Sequence, residues 1–145
     1  MTTIAWDGRT LAVDRLAVCA NLRRSTRKLH VSKAWVYGGA GSLPDLADIA
    51  LWLEAGAEDA KRPTLEEGGS CGIAVRRRDG RAFKVEGKRP VLALVRERFV
   101  ADGSGRDFAI AAMALGRTAR QAVALAARFD VYTGGGIDSI VVVPR

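Results

Sequence analysis

The apolar residues of this chain fall in short segments that turn residues separate. Two Asp-Gly dipeptides, Asp7-Gly8 and Asp79-Gly80, each divide a pair of such segments. Because Asp-Gly tolerates the positive φ angles of a two-residue turn, each pair is predicted to form an antiparallel hairpin. The predicted hairpin strands are Thr3–Trp6 with Arg9–Asp14, and Ile73–Arg78 with Arg81–Glu86.

Capping residues and helical spacing of apolar residues predict helices between other strands. Ser42 is a suitable N-cap and Gly56 a suitable stop for the first helix, and Ser104 or a neighbour caps the second. Thr118 and Gln121 form a capping-box pattern at the start of the third. The predicted helices run from Ser42 to Gly56, from Asp107 to Leu115 and from Thr118 to about Phe129. The remaining predicted strands are Ala34–Gly38, Val91–Val95, Phe99–Asp102 and Ile140–Val143.

The order of these elements indicates the fold class. Strands and helices come in separate runs rather than in strict alternation, which favours an α+β fold over a parallel doubly wound sheet. The 145 residues fit one domain, 1–145, with a core of its own. The charged stretch Ala57–Gly69 is expected to be a long exposed loop.

Composition places the chain among soluble globular proteins. Apolar residues make up 48% of the chain, and no apolar run approaches the roughly 20 residues of a membrane span. There is no secretory signal pattern, and Cys19 and Cys71 match no metal spacing. We therefore expect a cytoplasmic protein with reduced thiols, no membrane partner and no metal.

The formal net charge of +7 comes mostly from arginine, including the run Arg76-Arg77-Arg78. Such a surplus attracts nucleic acid or acidic proteins, but a solvated basic face explains it equally well. No nucleic-acid-binding motif accompanies the charge, so a basic nucleic-acid-binding domain is only an alternative function. His30, the single histidine, has no recognisable catalytic or metal partner in the sequence.

The start of the chain carries the strongest candidate for chemistry. Thr2 follows Met1, and methionine aminopeptidases cleave before small residues, so Thr2 is a potential N-terminus. An N-terminal threonine combines a hydroxyl nucleophile with an α-amine whose ordinary pKa is about 7.7–8.0. One residue then supplies both nucleophile and base, and a threonine that only begins a strand is the ordinary alternative.

Several segments in order resemble proteasome β-type subunits, above all bacterial HslV-type peptidases and their shorter homologues. The resemblance spans Thr2 to about Val142 and rests on Thr2-Thr3-Ile4-Ala5, Val13-Asp14, Arg27-Lys28-Leu29, Tyr37-Gly38-Gly39-Ala40-Gly41, Asp102-Gly103-Ser104-Gly105 and Val131-Tyr132-Thr133. It implies a four-layer αββα sandwich of two antiparallel sheets, the fold of N-terminal-nucleophile (Ntn) hydrolases. Since Ala57–Gly69 is short and polar where the family has a long helix, the helix layer on that side is expected to be reduced.

The resemblance also implies a function and its partners. Relatives are threonine peptidases that cleave polypeptides inside closed homo-oligomeric rings, without a cofactor, and an ATP-driven unfoldase assists some of them. A relative that keeps the fold but has no activity, and acts as a shell or interaction protein, is the main alternative. Retention of Met1 would favour that alternative, because a peptide-linked Thr2 nitrogen cannot act as a base.

The resemblance assigns roles around Thr2 to several residues. Lys28 is the lysine that sets the electrostatics of the N-terminal amine, and Asp14 is the carboxylate that holds this lysine. In a plain two-residue hairpin Thr3 faces Ala12, which places Asp14 on the same sheet face as Thr3 and diagonal to it. An exposed lysine and a solvated turn aspartate are the ordinary alternatives for these two side chains.

Other positions are predicted to handle the substrate and the proton. By the same resemblance, Ser104 is the serine expected near the threonine amine, and the backbone N–H of Ala40 is the first choice for the oxyanion hole. The glycines around Ala40 are candidate substrate-binding positions, and Gly38 is expected to leave room for bulky groups. Thr3 and Asp138 are candidate supporting residues. The glycine positions are Gly38, Gly39 and Gly41.

Overall fold

A computed structural model describes residues 2–66 and 70–143 of the chain. Eleven strands, three α-helices and one short 3-10 helix follow one another along it. The strands are β1 Thr3–Trp6, β2 Thr10–Asp14, β3 Leu16–Cys19, β4 Leu22–Ser25, β5 Leu29–Val31, β6 Trp35–Ala40, β7 Cys71–Arg76, β8 Arg81–Glu86, β9 Val91–Leu94, β10 Val100–Gly103 and β11 Ile137–Val141. The α-helices are α1 Leu43–Glu54, α2 Arg106–Ala114 and α3 Ala119–Phe129, and the 3-10 helix is Asp59–Lys61.

Two antiparallel sheets form the centre of the molecule. The first sheet has the strand order β10-β1-β2-β11, and the second has the order β5-β6-β7-β8-β9. Strands β3 and β4 form a separate two-stranded hairpin. All eight predicted strands are present: Thr3–Trp6 and Arg81–Glu86 have the predicted ends, and the other six have shifted ends. Strands β3, β4 and β5 were not predicted.

The register of the first hairpin differs from the prediction. Trp6 lies opposite Leu11, so four residues, 7–10, separate the last paired positions of the hairpin instead of the two residues of the predicted turn. The Asp7 carboxylate explains this, since its Oδ1 accepts hydrogen bonds from the amides of Arg9 at 3.0 Å and Thr10 at 2.8 Å. The connection between β7 and β8 is also longer than predicted, because Arg76 lies opposite Arg81.

Three hydrophobic clusters show how the layers pack. The first lies between the two sheets and includes Ile4, Val13 and Ile73, which are completely buried. In the second, α2 and α3 cover the outer face of the first sheet, mostly through alanines that allow close approach. In the third, α1 covers the outer face of the second sheet around Tyr37 and Trp52. The predicted αββα order is thus confirmed.

One helix layer is thinner than the other, as expected. Helices α2 and α3 lie on one side, and α1 lies on the other. Within residues 57–66 only the 3-10 helix Asp59–Lys61 follows α1, and the last residues of the predicted loop, 67–69, lie outside the described residues. None of the helices in the described ranges has the length and apolar character needed to cross a membrane.

The helix caps leave one serine free for other contacts. Ser42 accepts a hydrogen bond from the amide of Asp45 at 3.3 Å, and Thr118 and Gln121 form the predicted capping box of α3. Helix α2 instead has Gly105 at its N-cap, without a side-chain capping bond. Ser104 precedes this cap, so its hydroxyl is available to neighbouring strands.

Candidate active site

The ends of three strands and a turn meet at one end of the space between the sheets. Thr2 precedes β1, Asp14 ends β2, Lys28 precedes β5 and Ser104 follows β10. Antiparallel pairing brings these ends together, because Thr3 lies opposite Gly103 and Ile4 lies opposite Val13. Thr2 and Asp14 are 0% exposed and Lys28 is 4% exposed.

Lys28 joins the threonine to the carboxylate. Its Nζ donates hydrogen bonds to Thr2 Oγ1 and to Asp14 Oδ1, the latter at 3.1 Å. Burial lowers the pKa of Lys28 below its ordinary value, while the charge and the hydrogen bond of Asp14 oppose this shift. The result is a buried cation that donates directly to a threonine hydroxyl.

Asp14 is held by backbone as well as by Lys28. The amide of Thr3 donates to Oδ1 at 3.1 Å, and the amides of Leu16 at 3.2 Å and Gly134 at 3.0 Å donate to Oδ2. The observed register places Asp14 opposite Thr3 on the neighbouring strand rather than diagonal to it, which makes the hydrogen bond from the Thr3 amide possible. Hydrogen bonds to both oxygens fix the position of the carboxylate beside Lys28.

The nitrogen of Thr2 faces a different set of groups. It lies 3.1 Å from Ser104 Oγ, to which it donates. Ser104 Oγ is also 3.2 Å from Thr2 O and 2.6 Å from Asp130 Oδ2. A hydroxyl has one proton and two lone pairs, so Ser104 can accept from the threonine nitrogen while it donates to the carboxylate.

Asp130 is a site residue that the sequence analysis missed. Its Oδ2 accepts from Ser104 and from Thr133 Oγ1, both at 2.6 Å, and Thr133 Oγ1 lies 2.6 Å from Thr3 Oγ1. Burial alone would raise the pKa of Asp130, but these hydroxyls and the Tyr132 amide lower it overall. One signal was available: a carboxylate at the C-terminal end of α3 opposes the helix dipole, which indicates some other role.

Asp138, a predicted supporting residue, does not lie near Ser104. It is on β11 opposite Val13, and its Oδ2 is 3.7 Å from Arg15 Nε. In the described part of the chain it forms no hydrogen bond with Thr2 or Ser104. The carboxylate next to Ser104 is therefore Asp130 and not Asp138. Thr3, the other predicted supporting residue, does belong to the network through Thr133.

The glycine segment packs more tightly than expected. A Cβ on Gly38 would lie 3.1 Å from Ile4 Cγ2, between the two sheets, and a Cβ on Gly39 would lie 2.6 Å from the Tyr37 hydroxyl. The expectation that Gly38 leaves room for bulky groups is therefore wrong. Ala40 is 3% exposed and pairs with Cys71, and its role as oxyanion donor stays a prediction.

Gly41 ends this segment in the left-handed region, with φ of +137°, immediately before the N-cap of α1. A Cβ there would overlap Ser70, so the position has both a conformational and a steric need for glycine. The substrate-binding roles of Gly39 and Gly41 stay predictions. In the described ranges, no group of three or more His, Cys, Asp or Glu side chains is arranged to hold a metal ion.

No family model matches the sequence, and no curated protein matches it. Solved structures do resemble the fold. BPH of Thiobacillus denitrificans in complex with epoxomicin aligns with a TM-score of 0.72 at 21% identity, covering 99% of each chain. A second structure of BPH from Thiobacillus denitrificans gives a TM-score of 0.69 at 20% identity, again over 99% of each chain. Eukaryotic HslV from Trypanosoma brucei gives 0.65 at 22% identity over 97% of each chain. This chain therefore has the Ntn-hydrolase fold of the HslV-type, proteasome-like structures that its sequence resembles.

Proposed function

We propose that this protein is a threonine peptidase, in which Thr2 becomes the N-terminal nucleophile after removal of Met1. The observation that carries the proposal is the position of the Lys28 ammonium, which donates to Thr2 Oγ1 and is held by the buried Asp14. A cation in this position lowers the free energy of a threonine alkoxide relative to the hydroxyl.

The reaction begins with attack of Thr2 Oγ1 on the carbonyl carbon of the scissile peptide bond. The hydroxyl proton passes to the α-amine of Thr2, directly or through water, and the carbonyl oxygen becomes an oxyanion. Backbone N–H donors near Ala40 stabilise this oxyanion. The C–N bond then breaks, the leaving amine takes the proton from the threonine ammonium, and water hydrolyses the remaining ester.

Removal of Met1 is a requirement of this mechanism. While Met1 is attached, the Thr2 nitrogen is an amide, whose lone pair is delocalised and accepts no proton near neutral pH. Once free, the amine lies at Ser104, and the nearby Lys28 charge favours its neutral, basic form. Ser104 then orients the amine, and the Asp130 carboxylate behind it stabilises the positive charge that forms when the amine takes the proton.

The remaining parts of the proposal concern assembly and substrates. Homo-oligomeric rings in the cytoplasm would enclose the site and admit unfolded or threaded polypeptides, with or without an unfoldase. Large apolar side chains on the surface support assembly: Leu115 is 84% exposed, Val131 is 76% exposed and Phe129 is 60% exposed. Side chains of this kind are candidates for subunit contacts.

The test is covalent labelling of the cell-made protein with epoxomicin, the compound present in the BPH structure. Intact-mass analysis first measures the fraction that has lost Met1. We expect one adduct, located on Thr2 by peptide mapping, that is absent in Thr2→Ala. We expect labelling to be slower by about 10²-fold in Lys28→Met, since a charge donor to the nucleophile is lost.

Two outcomes would contradict the proposal. Undiminished labelling of Thr2→Ala would show that another residue is the nucleophile. Retention of Met1 in essentially all molecules, together with no adduct on the purified protein, would favour the non-catalytic alternative. Thr2→Ser is the matched control, because it keeps the hydroxyl and amine and should keep measurable labelling.

A further inference from the structure

The arginine run Arg76-Arg77-Arg78 has no part in the proposed reaction. It lies where β7 ends and the connection to β8 begins. Within the β6–β7 pair, Arg76 is opposite Trp35 at one end, and Cys71 is opposite Ala40 at the other. The Ala40 end lies at the site, because the amide of Gly39 donates to the carbonyl of Lys28 at 3.2 Å. Five residue steps along the strand separate the two ends by about 17 Å, so the run lies at the end of the sheet remote from Thr2.

These arginines line a groove of about 710 Å³, which we call the basic groove. Its walls are the β5–β6 turn with Lys33, the end of α1 with Glu54 and Gly56, and the β7–β8 connection with Arg77 and Arg78. These five residues are exposed. The groove is therefore open to solvent and to a partner.

The arginines of the run differ in how far their charges are balanced. Arg76 forms a bidentate contact with Asp79, with Nη2 to Oδ2 at 2.7 Å, and its guanidinium lies over the Phe83 ring. Hydrogen bonding from Arg76 lowers the pKa of Asp79 to about 2, so this pair stays ionised at neutral pH. Arg76 is consequently occupied within the protein.

Arg77, Arg78 and Lys33 differ from Arg76 because they have no ion-pair partner among the residues that the structure describes. Arg77 Nη1 donates to the carbonyl of Ser32 at 3.1 Å, which fixes the guanidinium beside the groove without neutralising it. Within residues 2–66 and 70–143, no carboxylate forms an ion pair with any of these three side chains. The groove thus presents three uncompensated cations and one carboxylate, that of Glu54.

We propose that the basic groove binds an extended segment of another protein that is rich in Asp and Glu. Carboxylates of such a segment would pair with Arg77, Arg78 and Lys33, and Arg offers them a bidentate fork. Glu54 would accept a backbone N–H of the segment. A polypeptide offers such amide donors along its backbone, whereas the sugar-phosphate backbone of a nucleic acid does not.

The groove also lacks what single-stranded nucleic acid requires. Base-stacking needs an accessible aromatic face, but Trp35, the aromatic residue that lines the groove, is only 7% exposed. Its ring packs edge-on against Phe83, with centroids 5.7 Å apart. The observations therefore favour an acidic polypeptide over RNA as the partner.

The test is fluorescence anisotropy with a labelled oligoglutamate peptide and an oligoglutamine peptide of the same length. We expect the protein to bind oligoglutamate alone, with affinity that falls as salt increases, because the contacts are exposed charges. Arg77→Glu with Arg78→Glu should weaken binding by about tenfold, since two attractions become repulsions. The matched control is Arg117→Glu with Arg128→Glu, the same charge change on the opposite helix layer.

Three outcomes would overturn the inference: no binding of oligoglutamate at low salt, an equal loss in both double variants, or tighter binding of an RNA oligonucleotide of the same length. Thermal melting of both variants establishes that they are folded. Epoxomicin labelling of Thr2 should be unchanged in both double variants, because the groove lies remote from the site. Failure of this inference can therefore be told apart from failure of the proposed function.

Discussion

Substitution of Asp14 by Asn tests whether the buried carboxylate organises the site. Asp14 is 0% exposed and accepts hydrogen bonds on both oxygens, from Thr3 and Lys28 on Oδ1 and from Leu16 and Gly134 on Oδ2. Asparagine has the same shape but only one acceptor oxygen. Whichever way its amide turns, the NH₂ group faces two N–H donors.

The structure allows the cost to be worked out. The better orientation keeps the oxygen toward Lys28 and Thr3 and leaves the amides of Leu16 and Gly134 without an acceptor. Each buried unsatisfied donor costs about 1–3 kcal/mol, so Asp14→Asn should lower the free energy of unfolding by about 2–6 kcal/mol. This is a large part of the roughly 5–15 kcal/mol typical of a domain. Lys28 also loses its counter-charge, which adds to the cost.

Urea unfolding, followed by far-UV circular dichroism, measures this change. Asp138→Asn is the matched control, because Asp138 has one long ion pair at 3.7 Å and should cost less than about 1 kcal/mol. Lys28→Met combined with Asp14→Asn should cost less than the sum of the single changes, since the methionine removes the unpaired charge. An Asp14→Asn protein within 1 kcal/mol of the parent would refute the reasoning.

Three further predictions concern the neighbours of Thr2. Gly103→Ala should abolish labelling of Thr2 and destabilise far more than Gly116→Ala, because both glycines have positive φ but only a Cβ on Gly103 would overlap the Thr2 carbonyl; equal urea midpoints would contradict this. Asp130→Asn should slow labelling by about 10²-fold with little change in the melting temperature, and an unchanged labelling rate would exclude its role in the proton path. The labelling rate should fall on the alkaline side below pH 10.5, the ordinary pKa of lysine. Burial lowers the pKa of Lys28, so the proton that Lys28 donates to Thr2 is lost as the pH rises through this lowered pKa. A rate that is flat to pH 10.5 would refute this assignment.

Local signals were sufficient to predict most of the fold. Ser42 and Thr118 cap the helices where predicted, and both Asp-Gly dipeptides lie in hairpin connections. The predicted register of the first hairpin was wrong because the Asp7 carboxylate also accepts a hydrogen bond from the amide of Ala119, at the start of α3, at 2.8 Å. A contact over that sequence distance fixes the conformation of the connection, and no local pattern reports it.

Strands β4 and β5 were not predicted for a related reason. Strand β4 is exposed along its whole length and carries Arg23 and Arg24, so it has no buried face to produce an alternating pattern. Strand β5 has three residues and exists through its pairing with β6. Position in the tertiary structure, rather than propensity, decides such segments.

Only part of the site was predicted. Spacing and resemblance identify its residues, but they do not give the directions in which the side chains point. Thr2, Asp14, Lys28 and Ser104 were identified in advance, and the structure brings them together. The room expected at Gly38 is absent, because the glycine faces Ile4 across the interface between the sheets. Nothing in the glycine run itself shows which layer it faces.

The charges around Thr2 bear on why the proposed reaction begins with removal of Met1. Lys28 and Asp14 balance one another, and Asp130, linked to the Thr2 nitrogen through Ser104, leaves the described groups with one negative charge. In the proposed attack, the proton leaves Oγ1 and forms an ammonium at that nitrogen, beside this carboxylate. The developing negative charge lies instead on the oxygen side, next to Lys28. The two charges that the reaction separates would therefore each meet a group of opposite sign already in place. A Thr2 nitrogen that remains an amide takes up no proton, so the reaction can use this preorganisation only after Met1 is removed.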